Sequence, residues 1–296
     1  MRIAIIASGV VGKATGVGLE SKGHDVVFYD IDALRLAQIQ EERHTTASSV
    51  REAVTQSDVT MICAPTPTKN GKPDLSVLVQ ICSEVGRAVQ DVKSYHLIVI
   101  RSTIPPGTTR RVVVPCVESS AHLNSGQRFG VCHNPEFLRE KFASDDFLQP
   151  RAVIIGEMDK IAGDTLESIY SPFESKIFRC SPETSEMIKY TSNLFNATKV
   201  SFFNEIDNVC KSMGVKSEEV SRLMPILALG LRDDLPEWGI YGGRAFGGMC
   251  LSKDLDAFIE FVRSKGLASP LLEAVRKVNR TMEEKDQKAP MILART

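Results

Sequence analysis

Cys250 follows the run Gly243-Arg244-Ala245-Phe246-Gly247-Gly248-Met249 and leads into Leu251-Ser252-Lys253-Asp254. Glycines let backbone turn sharply and pass close to a ligand. The apolar residues that follow, Leu251, Leu255, Phe258, Ile259 and Val262, have helical spacing. The cysteine therefore falls at a helix N-terminus, where the dipole and unpaired N–H groups favour thiolate over thiol. Lys253 adds positive charge, and Asp254, four residues on, shares the helix face of Cys250. A thiolate so placed is reactive. The plainer reading is a buried small hydrophobe, which is what most free cysteines are. Lys189 and Asn193 make a second pair, four apart in another apolar-periodic run. They share a helix face and need partners if that face is buried, against the plain alternative of a solvated polar stripe.

Such groups need a scaffold, and the N-terminal half supplies one. Arg2 to Ala7 reads as a short buried strand. The turn Ser8-Gly9-Val10-Val11-Gly12 follows, then a helical stretch to Ser21, then a second strand, Asp25 to Asp30. Strand, glycine turn, helix and strand ending in an acid form the dinucleotide-binding unit, and Asp30 stands 21 residues after Gly9. Gly9, Val10, Val11 and Gly12 are the candidate pyrophosphate contacts, although Ala7 occupies the usual first-glycine position. Asp30 predicts NAD rather than NADP, because a carboxylate pairs with a ribose 2′-hydroxyl and repels a 2′-phosphate. Arg35 is a further cofactor candidate whose plain alternative is a surface helix arginine.

Further strands are predicted at 58–64, 96–101, 128–132 and 152–156, with helices near 75–90 and 160–170. This alternation predicts a Rossmann-type α/β fold, a doubly wound and mostly parallel sheet with ligands at the strands' carboxyl ends. Three proline-stiffened loops lie at that edge: Ala64 to Thr68, Ser102 to Thr108, and Asn134 to Glu140. From about residue 182 the strand signal stops. An all-helical domain over 183–296 is expected after a dinucleotide-binding domain over 1–182. Its first helix runs from Ser185 to Met213 with Gly214 as its stop. A helix near 40 Å long exceeds what a small domain buries, which predicts a homodimer through it.

Composition narrows the class. Lysine and arginine number 36 against 37 acids, and 43% of residues are hydrophobic. Near-neutral charge gives no nucleic-acid or membrane surface, and no stretch reaches the ~20 apolar residues of a membrane span. The seven cysteines show no CxxC pair and no histidine at metal-ligand spacing, so no metal is expected. An odd, scattered set fits a reducing cytoplasm.

With these segments in order, the chain resembles the UDP-glucose/GDP-mannose dehydrogenase family. Ser102-Thr103-Ile104-Pro105-Pro106-Gly107-Thr108 is similar to the family's S-T-[VI]-P-x-G-T, and Asn134 to Glu140 to its N-P-E-F-L-R-E. Glu186-Met187-Ile188-Lys189-Tyr190 through Asn193 is similar to E-x-[IL]-K-Y-x-x-N, and Ser201 to Glu205 to S-F-x-N-E. Gly247 to Asp254 is similar to G-G-S-C-[FL]-P-K-D, with Met249 and Ser252 as departures. The resemblance implies Cys250 as nucleophile, Asp254 and Lys189 as acid–base and oxyanion partners, and Asn193 as a donor. It implies that Thr103, Glu136 and Glu140 line the reacting centre. Thr66, Thr103, Glu140 and Lys253 would lie near the cofactor, and Phe137, Leu138, Arg232, Phe246 and Gly247 near the substrate.

The activity so implied is NAD-dependent four-electron oxidation of a primary alcohol to a carboxylate. The alcohol would belong to a sugar nucleotide, or to a smaller nucleotide or sugar phosphate. The family also carries a C-terminal nucleotide-type domain that finds no counterpart before Thr296, so a short form or a fragment is expected. Two alternatives stay open. One is a two-electron hydroxy-acid dehydrogenase on the same fold, which needs no cysteine; the other is a non-catalytic NAD-binding subunit.

Overall fold

The computed structural model describes residues 1–69, 71–227, 243–247 and 250–288. In chain order the elements begin β1 (Arg2–Ile6), α1 (Val10–Ser21), β2 (Asp25–Tyr29), α2 (Ala33–Glu41), β3 (Thr45–Thr46), α3 (Val50–Thr55) and β4 (Val59–Ile62). A small hairpin, β5 (Thr68–Lys69) and β6 (Lys72–Pro73), precedes α4 (Ser76–Val89) and β7 (His96–Ile100). A π-helical turn, Thr109–Val113, runs into α5 (Val114–Ala121), followed by β8 (Phe129–His133). Then come a 3-10 turn (Glu140–Phe142), α6 (Ala143–Leu148), β9 (Ala152–Glu157), α7 (Lys160–Tyr170) and β10 (Lys176–Cys180). The remainder is helical: α8 (Pro182–Met213), α9 (Ser217–Leu227), α10 (Leu251–Ser264) and α11 (Pro270–Lys288).

Two compact units divide the chain, Met1–Thr66 with Pro73–Lys189 and Pro67–Lys72 with Tyr190–Thr296. In the first, eight strands lie in the order β10-β9-β8-β7-β4-β1-β2-β3. The strand order reverses between β1 and β4, which both continue parallel to their neighbours. That reversal opens the crevice where doubly wound sheets take ligands. Alternate residues of the strands serve opposite faces. Ala4, Ile6, Val27, Ile62 and Ile98 pack with Ala53, Leu78, Val85 and Val117. Ile3, Ile5, Val26, Met61 and Val99 pack with Leu19, Phe147 and Leu166. Both faces are thus covered, as a parallel sheet requires.

The sheet is not parallel throughout. β9 runs antiparallel to β8, through Cys132 opposite Glu157 and His133 opposite Gly156, and β10 then follows β9 in parallel. The strand β10, which sequence reading does not predict, is a sheet edge with Phe178 half exposed. The first two turns of α8 belong to the sheet unit. Ser185 Oγ meets His133 Nδ1 at 2.9 Å, and Glu186 accepts from Thr109 N–H and Oγ1–H at 2.7 and 2.6 Å. The second unit has its own core of Tyr190, Leu194 and Ala197 on α8, with Phe246, Leu255, Ile259 and Val275.

Candidate active-site residues

The turn after β1 fits a dinucleotide. Gly9 caps α1 without any side-chain hydrogen bond to the helix, and Val10, its first residue, is 53% exposed. The first N–H groups of α1 are left for an anion, as at other helix N-termini that bind phosphate. At Gly12 a Cβ would lie 2.2 Å from the Ala7 carbonyl oxygen, so helix and strand can approach only with glycine there. Ala7 adopts φ +70, a left-handed conformation that costs a non-glycine residue about 1–2 kcal/mol. The departure from the glycine pattern leaves the turn itself in place. Asp30 is buried at the end of β2 and accepts from Ser8 N–H at 2.7 Å and Asp32 N–H at 2.9 Å. Arg35 is not a bystander on its helix, because Nη1 reaches Asp30 Oδ2 at 2.9 Å. NAD fits these groups. The α1 N-terminus would hold its pyrophosphate, and Asp30 with Arg35 its adenosine ribose.

A buried ion pair stands elsewhere in the first unit. Lys189 Nζ lies 2.9 Å from Glu136 Oε1, with side chains 5% and 9% exposed. Burial pulls the Glu136 carboxyl up. Lys189, the Leu138 N–H at 2.6 Å and the Arg101 guanidinium outweigh it and hold the group below the usual carboxylate range. The Lys189 ammonium also lies 5.5 Å from the Phe137 ring centroid. The loop that carries Glu136 is fixed from beneath. Buried Arg101 donates to Asn134 Oδ1 and to Tyr170 Oη, and Asn134 Nδ2 donates to Ile154 C=O at 2.8 Å.

Around the loop 102–109, Thr66 Oγ1 donates to Thr103 C=O at 2.7 Å, and Glu186 gathers the N–H groups of Gly107 and Thr109. Burial still raises the Glu186 carboxyl above its usual value, with those bonds opposing it. His133 is pushed down to about 3, chiefly by burial, and so stays neutral. Its Nε2 lies 3.3 Å from the Ser102 carbonyl, which can only accept, so the proton sits on Nε2.

In the second unit Cys250 is exposed and forms no disulfide. It occupies the N-cap of α10, where its C=O accepts from Asp254 N–H at 2.9 Å. The buried-hydrophobe reading is thereby removed. Asp254 is 1% exposed and accepts from Asn193 Nδ2 at 2.6 Å and Lys253 Nζ at 2.5 Å. Asn193 is buried on α8, one turn beyond Lys189, and is no solvated stripe.

The remaining candidates are distributed as follows. Glu140 is exposed and opens the 3-10 turn, with Leu138 partly buried just before it. The Phe246 ring packs in the core with Tyr190 and Leu255, and Gly247 beside it is exposed. Arg232, Gly248 and Met249 lie outside the described residues. Sequence reading passed over Arg101, Asn134 and Glu186 as supports. A charged residue at the last position of an apolar strand, as Arg101 follows Ile100, is the signal that marks the first of them.

Residues 37–174 match the model of the UDP-glucose/GDP-mannose dehydrogenase family NAD binding domain, and residues 183–281 match its central domain. Residues 2–70 also match a model described as NADP oxidoreductase, coenzyme F420-dependent. The GDP-mannose 6-dehydrogenase of Pseudomonas putida is 36% identical over 94% of this chain and 68% of its own. The UDP-glucose 6-dehydrogenase of Haloferax volcanii is 32% identical over 94% and 69%. Among solved structures, a UDP-glucose dehydrogenase from Pyrobaculum islandicum superposes with a TM-score of 0.86 at 33% identity, over 96% of this chain and 68% of that one.

Proposed function

Because the chain belongs to the UDP-glucose/GDP-mannose dehydrogenase family, we propose that it oxidises the primary alcohol of a nucleotide sugar to the carboxylate through a thioester on Cys250. It is an NAD-dependent dehydrogenase. The observation that carries the covalent part is an exposed cysteine at the α10 N-cap, four residues before a buried carboxylate that Asn193 and Lys253 hold. The relatives named above act on GDP-mannose and UDP-glucose. Substrates of that kind, or smaller nucleotides and sugar phosphates, are the class proposed here.

NAD⁺, when bound, is the acceptor for each hydride. The protein's own groups do the rest. The substrate hydroxyl gives up its proton to Asp254 as base, Lys189 and Asn193 stabilise the alkoxide, and loss of the first hydride from carbon leaves an aldehyde. The Cys250 thiolate then adds to the aldehyde carbon, and the same two groups receive the new oxyanion. Loss of the second hydride restores the C=O bond and leaves a thioester. Water attacks it with Asp254 or Glu140 as base, the C–S bond breaks, and the thiol is regenerated. Alcohol, water and two NAD⁺ give carboxylate, two NADH and three protons. The resemblance gives Thr103 and Glu136 a place in the reacting centre, and Glu136 is ionised against Lys189. Phe137, Leu138 and Gly247 contribute to the substrate surface, and Thr66 and Lys253 to the cofactor surface.

The direct test is product stoichiometry with GDP-mannose and UDP-glucose as first substrates. Two NADH per carboxylate are expected. One NADH with accumulation of aldehyde overturns the proposal in favour of a two-electron enzyme.

A homodimer through α8 belongs to the same proposal. Phe195 and Phe202, seven residues apart on one face of the helix, are 60% and 52% exposed, and an aromatic pair of that kind is suited to a second copy. Sedimentation should give twice the chain mass, and a monomer at micromolar concentration removes the assembly. A cytoplasmic setting is proposed on the absence of disulfides among the described cysteines. Among the described residues no helix is long and apolar enough to cross a membrane.

A further inference from the structure

The segment 243–247 leads toward Cys250, and two buried asparagines pair with its backbone. Asn204, on α8 and fully buried, donates Nδ2 to Arg244 C=O at 2.8 Å. Its Oδ1 accepts from Gly243 N–H at 2.7 Å and Arg244 N–H at 3.2 Å. Asn279, on α11 and 4% exposed, treats Phe246 in the same way. Its Oδ1 accepts from Phe246 N–H at 2.8 Å, and its Nδ2 donates to Phe246 C=O at 3.0 Å and to Glu283 Oε1 at 3.1 Å. A carboxamide that exchanges both bonds with one residue reproduces the reciprocal pairing of opposed residues in antiparallel strands.

Energetics say why this position calls for an amide. Phe246 is 6% exposed, so its N–H and C=O have little access to water. An apolar residue at 279 would strand both groups at a cost well above that of an ordinary lost hydrogen bond. The Phe246 ring packs in the same cluster as Leu255, which lies one turn into α10. Side chain and backbone of Phe246 are therefore both fixed, four residues before the cysteine that caps α10.

We infer that Asn279 is a positioning residue for the Cys250 thiol, acting through its paired hydrogen bonds to Phe246. The inference rests on the reading of Cys250 as nucleophile. With the pairing intact, Phe246 keeps one place against Leu255 of α10, and the helix that Cys250 caps is held in one register. Without it, the segment keeps its apolar anchor but loses its backbone registration, and attack geometry is lost with it. A displacement of about 1 Å at a reacting atom can cost on the order of a hundredfold in rate.

The test uses Asn279→Ala and Asn279→Asp in the full chain. The aspartate keeps an acceptor for Phe246 N–H and replaces the donor with an oxygen that faces Phe246 C=O. Three quantities are read: amide exchange across 243–247 by mass spectrometry, the rate of iodoacetamide alkylation at Cys250, and kcat with KM for NAD⁺. Exchange in that segment should rise at least about tenfold while the β1, β4 and β7 amides stay unchanged. The alkylation rate should change several-fold, and kcat should fall about ten- to a hundredfold at constant KM for NAD⁺. If exchange rises yet alkylation and kcat per folded molecule hold at the parent values, Asn279 is structural only and the inference fails. Unchanged exchange also sinks it. Should the alanine variant not fold, the aspartate variant supplies the same three readings. Failure of the nucleophile reading is told apart by Cys250→Ser, which would then still make acid, whereas exchange and alkylation in the Asn279 variants report the clamp regardless.

Discussion

Cys250→Ser is expected to bind NAD⁺ as the parent does and to lose at least about a thousandfold in acid formation, roughly 4 kcal/mol of barrier by the transition-state relation. Serine at this N-cap keeps the helix start, since hydroxyl residues are favoured there. It does not keep the nucleophile, because an unactivated hydroxyl is far weaker than a thiolate. The first oxidation asks nothing of sulfur. Aldehyde should therefore form and be recoverable as an oxime when hydroxylamine is present during turnover. Acid release at the parental rate would show that Cys250 takes no part in the chemistry.

Lys189→Met is the second large effect, and it reaches stability as well as rate. Removing one member of a buried pair strands the other, at about 3–5 kcal/mol for comparable cases. Here the stranded group is Glu136, whose carboxyl is held low only because Lys189, the Leu138 N–H and Arg101 outweigh its burial. In the parent, a folded-state value below the unfolded one stabilises the protein above the ordinary carboxylate range, and that contribution fades as acid protonates the folded group. In Lys189→Met the largest opposing charge is gone and burial pushes Glu136 upward. Its ionisation then favours the unfolded chain, so the deficit is greatest near neutral pH and shrinks toward pH 4. Urea melts at pH 7 and pH 4.5 compare the two proteins. A deficit that is equal at both values would mean that Glu136 does not feel the loss. Turnover should fall by about a hundredfold or more, as when a main oxyanion donor is removed.

What the sequence showed and what it withheld follow from the physics of each element. β1 and β2 are legible because a strand buried on both faces must be apolar throughout, and Asp30 stands out at the end of such a run. The Cys250 position is legible because glycines and then a helical period announce a helix start. β10 is not, since this edge strand with one open face carries Lys176 and Arg179 and gives no unbroken apolar run. The reversal of β9 is also hidden, because strand direction depends on the path of the intervening chain and not on residue type. The π-helical turn at Thr109–Val113 starts on a residue bonded to a tertiary partner, Glu186, 77 positions along the chain, which no local pattern announces. Asn279 belongs to the same class. A side chain that pairs with backbone 33 residues away leaves no periodic mark.

The hairpin β5–β6 imposes an order of events on the ribosome. Its residues 67–72 are spoken long before the unit they complete, and Thr68 Oγ1 finds its acceptor, the Lys253 carbonyl, across 185 positions. At 5–20 residues per second, this ribbon waits roughly ten to forty seconds for that partner to be made. Splitting the gene at the long helix would consequently hand the second fragment a unit without its ribbon.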